Sequence, residues 1–279
     1  VPYRHPGKAF LSRYGDIQSE EDIYRYVDFL RRESGLDDEP PIELSVIYDH
    51  FGIPTPMRAP LDEQQGILVD SSTGIILIKE DDSIVRQRFT EGHELVELLF
   101  DAVAEVRQSS ALPNWSEPHK ERLCDQGAAD LLMPRSSFIP KLYQLGISMN
   151  AARSLATLYQ TSLMSTLVRM MQQGEGNCAL VVWHHALKPT ETRNTTVPSK
   201  EKLRIWWRTQ TSDWTGGYIP KDKSVAEESL ILETFQSGLP TSGQEVLHLG
   251  WGTIDCHIEA LPIQVGDKAC VVSLVQSVE

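Results

Sequence analysis

The chain has 279 residues, 41% of them hydrophobic, with 39 acidic against 26 basic side chains and a formal net charge of −13. That length suits two or three domains, and the acid excess argues against a surface for nucleic acid or anionic membrane, since both need basic patches. No apolar run approaches the roughly 18 residues of a membrane helix. Four cysteines, Cys124, Cys178, Cys256 and Cys270, stand apart with no C-x-x-C pair, which reads as reduced, mostly buried thiols of a cytoplasmic protein. No signal peptide is visible at Val1, and the missing initiator methionine leads us to expect a trimmed amino terminus.

Residues 1–18 carry turn formers and scattered charge and read as an extended arm. Residues 19–34 predict a helix, with Ser19 as N-cap, Glu20, Glu21 and Asp22 in the first turn, and Ile23, Val27 and Leu30 as the apolar stripe. Pro40 and Pro41 punctuate, and residues 42–51 predict a short helix with Leu44, Ile47 and Phe51 inward. Residues 65–79 read as a hairpin turning at Ser71-Ser72-Thr73-Gly74. An edge strand of this hairpin could hold an extended peptide by β-addition, or both strands could be ordinary sheet strands. Asp81 and Asp82 mark a turn, and a helix is predicted over 84–106. Arg86 and Arg88 near its start oppose the helix dipole and are expected to pair with acids or hold a loop, with contact to a substrate as the alternative.

That helix contains His93-Glu94-Leu95-Val96-Glu97. His93 and Glu97 are four apart and share one face, with Glu94 about 100° round on its flank. An imidazole and a carboxylate at this spacing can grip one metal ion while the adjacent carboxylate takes a proton from water. The pentapeptide alone is also compatible with a solvated pair on an amphipathic helix. After a Ser-, Pro- and Asn-rich loop at 108–118, which could be mobile, a second helix is predicted over 119–133, stopping before Pro134. Glu121 and Asp125 share one face of it, and Ala128 and Ala129 would allow close packing on a neighbour. Packed on the first helix, it supplies Glu121 as a third ligand, with His119 as a rival.

Together the two stretches resemble the ImmA/IrrE family of zincin-like metallopeptidases, and within it the IrrE (PprI) type. The family pattern R-F-T-x-x-H-E-x-x-H stands here as Arg88-Phe89-Thr90, His93-Glu94 and Glu97; its second part stands as Glu121, Ala128-Ala129 and Leu131-Leu132-Met133-Pro134. The resemblance implies His93, Glu97 and Glu121 as metal ligands and Glu94 as general base. Glu97 occupies the place of the family's second histidine. One nitrogen with two carboxylates is a harder donor set, expected to tolerate Mn²⁺ better beside Zn²⁺ and to leave a bound water less acidic.

Residues 149–173 predict two short helices around a turn at 160–162, a pattern that resembles a helix-turn-helix. Two arginines, Arg153 and Arg169, against Glu175 make it a packing module for a protein partner rather than a DNA reader. Strands are expected over 178–183, 203–208, 245–249, 254–264 and 268–276, the last two joined by a Gly266-Asp267 hairpin turn. Residues 188–200 read as a polar loop, and 224–236 as a helix capped by Ser224 with Gly238 beyond its end. His184 and His185 should face opposite sides of a strand. The pattern resembles a GAF-like domain, in which Trp206, Trp207, Trp214 and Trp251 could line a ligand pocket or serve as core and edge aromatics.

The expected architecture is α+β: a zincin-like metallopeptidase domain at 1–145, a helix-turn-helix-like module at 146–177 and a GAF-like sensor domain at 178–279. The resemblance implies a cytoplasmic endopeptidase that uses one divalent ion, Mn²⁺ or Zn²⁺, and cleaves an XRE-class helix-turn-helix repressor to release stress or DNA-damage genes. A second reading is a protein that binds such a repressor or a small ligand without cutting. A third, a direct DNA-binding factor, fits the charge least.

Overall fold

The computed structural model describes residues 1–106, 115–188, 201–249 and 252–278. Among them are nine helices and two sheets, a mixed α+β architecture as expected. The chain divides into two compact units, one of residues 1–141 with 154–165 and the other of 142–153 with 166–279.

The first unit begins with a helix, α1 (Pro6–Tyr14), and not with an extended arm. Pro6 sits in the first turn, where its missing N–H is no loss, and His5 Nδ1 accepts from the Lys8 N–H. Phe10 is buried edge-on against Tyr26 and Phe29. One apolar anchor and a glycine were too little periodicity to reveal this helix: Gly7 lies so close to the helix that carries Leu98 that a Cβ there would stand 2.4 Å from the Leu98 carbonyl oxygen. Helix α2 (Glu21–Glu33) buries Ile23, Val27 and Leu30. Ser19 does not cap it; the Asp22 carboxylate turns back and accepts from the N–H groups of Gln18 and Ser19 at 2.8 and 3.0 Å. Helix α3 (Leu44–Phe51) buries Leu44, Ile47 and Phe51 and ends at Gly52 in the left-handed region.

Three short strands follow: β1 (Met57–Ala59), which the sequence did not suggest, β2 (Gly66–Asp70) and β3 (Ile75–Lys79). Strands β2 and β3 form the expected antiparallel hairpin, and β1 adds parallel to β3. The order β1-β3-β2 leaves β2 at an edge. Then come α4 (Ile84–Val106) and α5 (Glu117–Leu132), the latter opening two residues earlier than expected, with Pro118 in its first turn. Of the loop expected at 108–118, residues 108–114 lie outside the described residues. Helix α6 (Arg135–Leu145), not foreseen, is followed by α7 (Met149–Tyr159) and α8 (Leu163–Gln173), which flank the expected turn; Gln160 there has φ 53°. The division between the two units falls inside these three helices.

The second unit carries a five-stranded antiparallel sheet, ordered β5-β4-β8-β7-β6. Its strands are β4 (Cys178–Ala186), β5 (Lys202–Gln210), β6 (Thr241–Leu249), β7 (Gly252–Val265) and β8 (Lys268–Ser277). Strand β4, second from an edge, is buried on both faces from Cys178 to Trp183, and the Trp183 indole N–H donates to Ser273 Oγ at 2.8 Å. Helix α9 (Leu230–Ser237) packs on β6, β7 and β8. It is shorter than the span expected from 224: Ser229, not Ser224, caps it by accepting from the Ile231 N–H, while Ser224 bridges to Arg204. Gly238 ends it in the left-handed region, and Gly266, φ 57°, makes the β7–β8 turn. The polar loop expected at 188–200 lies, from 189 on, outside the described residues.

Candidate metal centre

Small residues let the two site helices meet. A Cβ on Gly92 of α4 would touch the Ala128 side chain of α5 at 3.4 Å, and one on Gly127 would stand 2.8 Å from Val96 Cγ2. The Tyr26 hydroxyl donates to the Leu95 carbonyl and ties α2 to the same place. At the start of α4, Glu91 accepts from the Tyr48 hydroxyl at 3.0 Å and from Arg58 at 2.6 Å. Arg88 donates to the Ile42 carbonyl and Arg86 pairs with Asp82 at 3.5 Å, the holding roles expected of both arginines.

The approach brings the α5 acids to His93. Glu121 Oε2 lies 3.5 Å from His93 Nε2, and Asp125 Oδ1 lies 3.0 Å from Nδ1. Burial alone would lower the His93 pKa, but the hydrogen bond and charge of Asp125, with Glu94 and Glu121, outweigh it and raise the pKa above its ordinary value. A carboxylate on one ring nitrogen fixes how the other presents itself, the usual support for a metal-bound imidazole. Asp125 was seen only as sharing a face with Glu121; that it meets Nδ1 depends on how the helices pack.

Glu97 lines the same cleft and is engaged from α5. It pairs with the Lys120 ammonium, and its Oε2 accepts from the Cys124 thiol at 3.3 Å. Ligand atoms of His93, Glu97 and Cys124 all lie within 4.8 Å of one another. Cys124 was read from the sequence only as a buried thiol. It is fully buried, but also faces the site, three residues after Glu121 on one helix. Burial pushes its pKa far up, with the Glu97 charge adding to the shift, so the thiol is a protonated donor here. His119 takes no part in this cluster: it pairs with Glu20 at 3.2 Å and stacks on Trp115.

A cleft of about 610 Å³ opens over these groups. One wall is β2 with its lead-in, residues 64–68; the other is the His93, Glu94 and Glu97 face of α4. The two elements are nearly in contact, since a Cβ on Gly66 would stand 2.4 Å from Thr90 Cγ2 and 2.7 Å from Glu94 Oε1. Glu94, 6% exposed, therefore sits under the edge strand and accepts from the Leu68 N–H. Burial, with the charges of Glu97 and Glu121, pushes its pKa up to about 7 against the opposing pull of His93 and Leu68. A carboxyl poised there can both take and return a proton near neutral pH.

Residues 49–171 match the model of the IrrE N-terminal-like domain, Peptidase_M78. An IrrE-like domain is present. The match runs from α3 into α8 and takes in α4 and α5 whole. Because the family is one of metal-dependent peptidases, the match supports a metallopeptidase function for the IrrE-like domain. The solved structure of a Mycobacterium tuberculosis transcriptional regulator resembles the chain with a TM-score of 0.59 at 14% identity, covering 98% of this chain and 80% of that one. At that identity the likeness concerns the fold alone. No curated protein matches. Among the described residues, no helix is long and apolar enough to cross a membrane.

Outside the IrrE-like domain, His184 stacks on Trp206 while His185 pairs with Glu201 at 3.0 Å, so the two histidines part as expected. Trp214 is buried and donates to the Gly217 carbonyl, whereas Trp206 and Trp207 are exposed on β5. These three are core and edge aromatics; Trp251 lies outside the described residues.

Proposed function

We propose that this chain is a metal-dependent endopeptidase whose site is built on His93, Glu94, Glu97 and Glu121. The observation that carries the reading is Glu94, a buried carboxyl shifted to about 7, placed between the His93 face of α4 and the edge of β2. The donor groups suit a divalent ion: ligand atoms of His93, Glu97 and Cys124 lie within 4.8 Å of one another, and Glu121 Oε2 lies 3.5 Å from His93 Nε2. With one nitrogen and two carboxylates, Mn²⁺ or Zn²⁺ would be held by His93, Glu97 and Glu121. When bound, such an ion supplies Lewis-acid polarisation of a carbonyl and makes water more acidic.

The chain's own residues would do the rest. The outer edge of β2 would take an extended peptide as an added strand and lay its scissile bond over α4. Glu94 would take a proton from the attacking water and return it to the leaving amine, a task its near-neutral pKa suits. Asp125 would hold the His93 ring through Nδ1.

The substrate we propose is an XRE-class helix-turn-helix repressor, whose loss would release stress or DNA-damage genes, in the cytoplasm. The working layout is a zincin-like domain at 1–145, a helical module at 146–177 that helps grip the repressor, and a GAF-like domain at 178–279 that senses a small ligand. The test is incubation of the full chain and Mn²⁺ with such repressors. Cleavage by the wild type, reduced at least about 10²-fold in Glu94→Gln while metal binding persists, supports the mechanism; cleavage at the wild-type rate in that variant overturns it.

One observation favours a second reading: Glu97 is engaged by Lys120. A chain that captures an intact repressor, and cuts it only after Glu97→His, would be a binding protein.

A further inference from the structure

Where the family pattern has a neutral histidine, this chain has a carboxylate, and the added charge is answered from α5. The Lys120 ammonium pairs directly with Glu97 Oε1, while the Cys124 thiol donates to Oε2. Both oxygens that a metal would use are therefore taken. This is not a solvated surface pair, for the Lys120 and Glu97 side chains keep only 21% and 17% of their exposure. Lys120 also lies 5.8 Å from the Phe100 ring centroid, on the positive-charge-attracting face. Within the same cleft wall stand Glu94, Asp101, Glu121 and Asp125, and Lys120 supplies a positive charge at the acid that Glu97 adds to them.

We propose that Lys120 is an internal cation that competes with the divalent ion for Glu97 and sets the metal affinity of the site. This rests on the metal-site reading above. A flexible four-carbon stem lets the ammonium withdraw from Glu97. Metal entry exchanges the Lys120–Glu97 contact for a metal–Glu97 contact, and the ammonium leaves the carboxylate still protonated. The affinity of the site is then lower than its three ligands alone would give.

The experiment is titration calorimetry of the metal-stripped full chain with Mn²⁺, in the wild type, Lys120→Met, Lys120→Gln and Lys120→Arg. Folding of each is checked by circular dichroism, and two neutral variants guard against the loss of one. Competition predicts Mn²⁺ binding at least about tenfold tighter, or 1.4 kcal/mol, in the neutral variants, and close to the wild type in Lys120→Arg. A bridge that merely joins α4 to α5 would lower the melting temperature of the neutral variants and leave or weaken their affinity; equal or weaker affinity overturns the competitor role while keeping the metal site. No saturable site in any of the four overturns both.

Discussion

Glu94 makes a prediction about the metal-free protein that needs no substrate. In the unfolded chain its carboxyl releases a proton near 4.5; in the folded chain burial holds that proton to about 7. Below 4.5 both states are protonated and the group is neutral to stability. Between 4.5 and 7 the folded state becomes progressively less stable, and above 7 the whole penalty, about 3 kcal/mol, is present. Glu94→Gln should therefore raise the melting temperature of the metal-free chain at pH 8 and change it little at pH 4.5. Melting curves for the two proteins that stay parallel across that range would mean that Glu94 carries no burial penalty. Asp125 makes a second prediction at the same scale. It bonds His93, the proposed metal ligand, at 3.0 Å, and carboxylates in that position typically account for 10–100-fold in metal affinity. Asp125→Asn should weaken Mn²⁺ binding by that order in a calorimetric titration; unchanged affinity would make Asp125 a bystander. Of these residues, His93 and Glu94 could be read from their spacing, and Glu121 from the family resemblance. The roles of Asp125, Lys120 and Cys124 could not, because their meeting with α4 depends on the rotation of α5 about its own axis.

Elements meet here through glycines. Gly66 lets β2 pass over α4, and a methyl group at that position would strike Thr90 and the Glu94 carboxylate at 2.4 and 2.7 Å. Gly66→Ala should leave the secondary structure intact by circular dichroism while displacing Glu94, lowering any peptide cleavage by roughly the 10² fold that a misplaced general base costs. Wild-type turnover in that variant would remove β2 from the site. Gly7 does the same for α1, with the harder obstacle of a backbone oxygen, so Gly7→Ala should cost about 1–3 kcal/mol in denaturant unfolding, the usual range for overpacking. A cost near zero would mean that α1 is loosely laid on α4. Helix α1 escaped the sequence reading because its stability is borrowed: burial of Phe10 and the fit of Gly7 hold it, and neither shows as an apolar period. Strand β1 is three residues long and owes its existence to pairing with β3. The α9 start was misplaced because Ser224 and Ser229 are equal as candidate caps until one of them is bridged to Arg204.

At the scale of the whole molecule, charge limits the partners. A net charge of −13 repels duplex DNA, and it favours a partner with a basic face, as a helix-turn-helix repressor has. Capture of such a repressor by the full chain should weaken as salt rises from about 0.05 to 0.5 M, where screening shortens from roughly 14 to 4 Å, and a labelled duplex without the repressor should not be retained. Retention of the duplex by the chain alone would favour the DNA-binding reading. The mixed α+β class was legible because helical and strand periods alternate along the chain and need no partner to be seen. The resemblance carried by residues 88–97 and 121–134 was legible for a similar reason: ligand spacing on a helix is a local property, set by 3.6 residues per turn.

By itself, then, the sequence determined that His93 and Glu97 share a helical face, that Glu121 and Asp125 share another, and that a hairpin precedes the first of these helices. Tertiary structure alone decided that β2 is the edge strand over Glu94, that burial brings this carboxyl to about 7, and that Glu97 meets Lys120 and Cys124. The physical reason is the range of the forces involved. Backbone periodicity is written within one or two turns, whereas desolvation and ion pairing depend on which side chains arrive from residues some 20 to 30 positions away, and that is settled only when the small residues of α4 and α5 let the helices close.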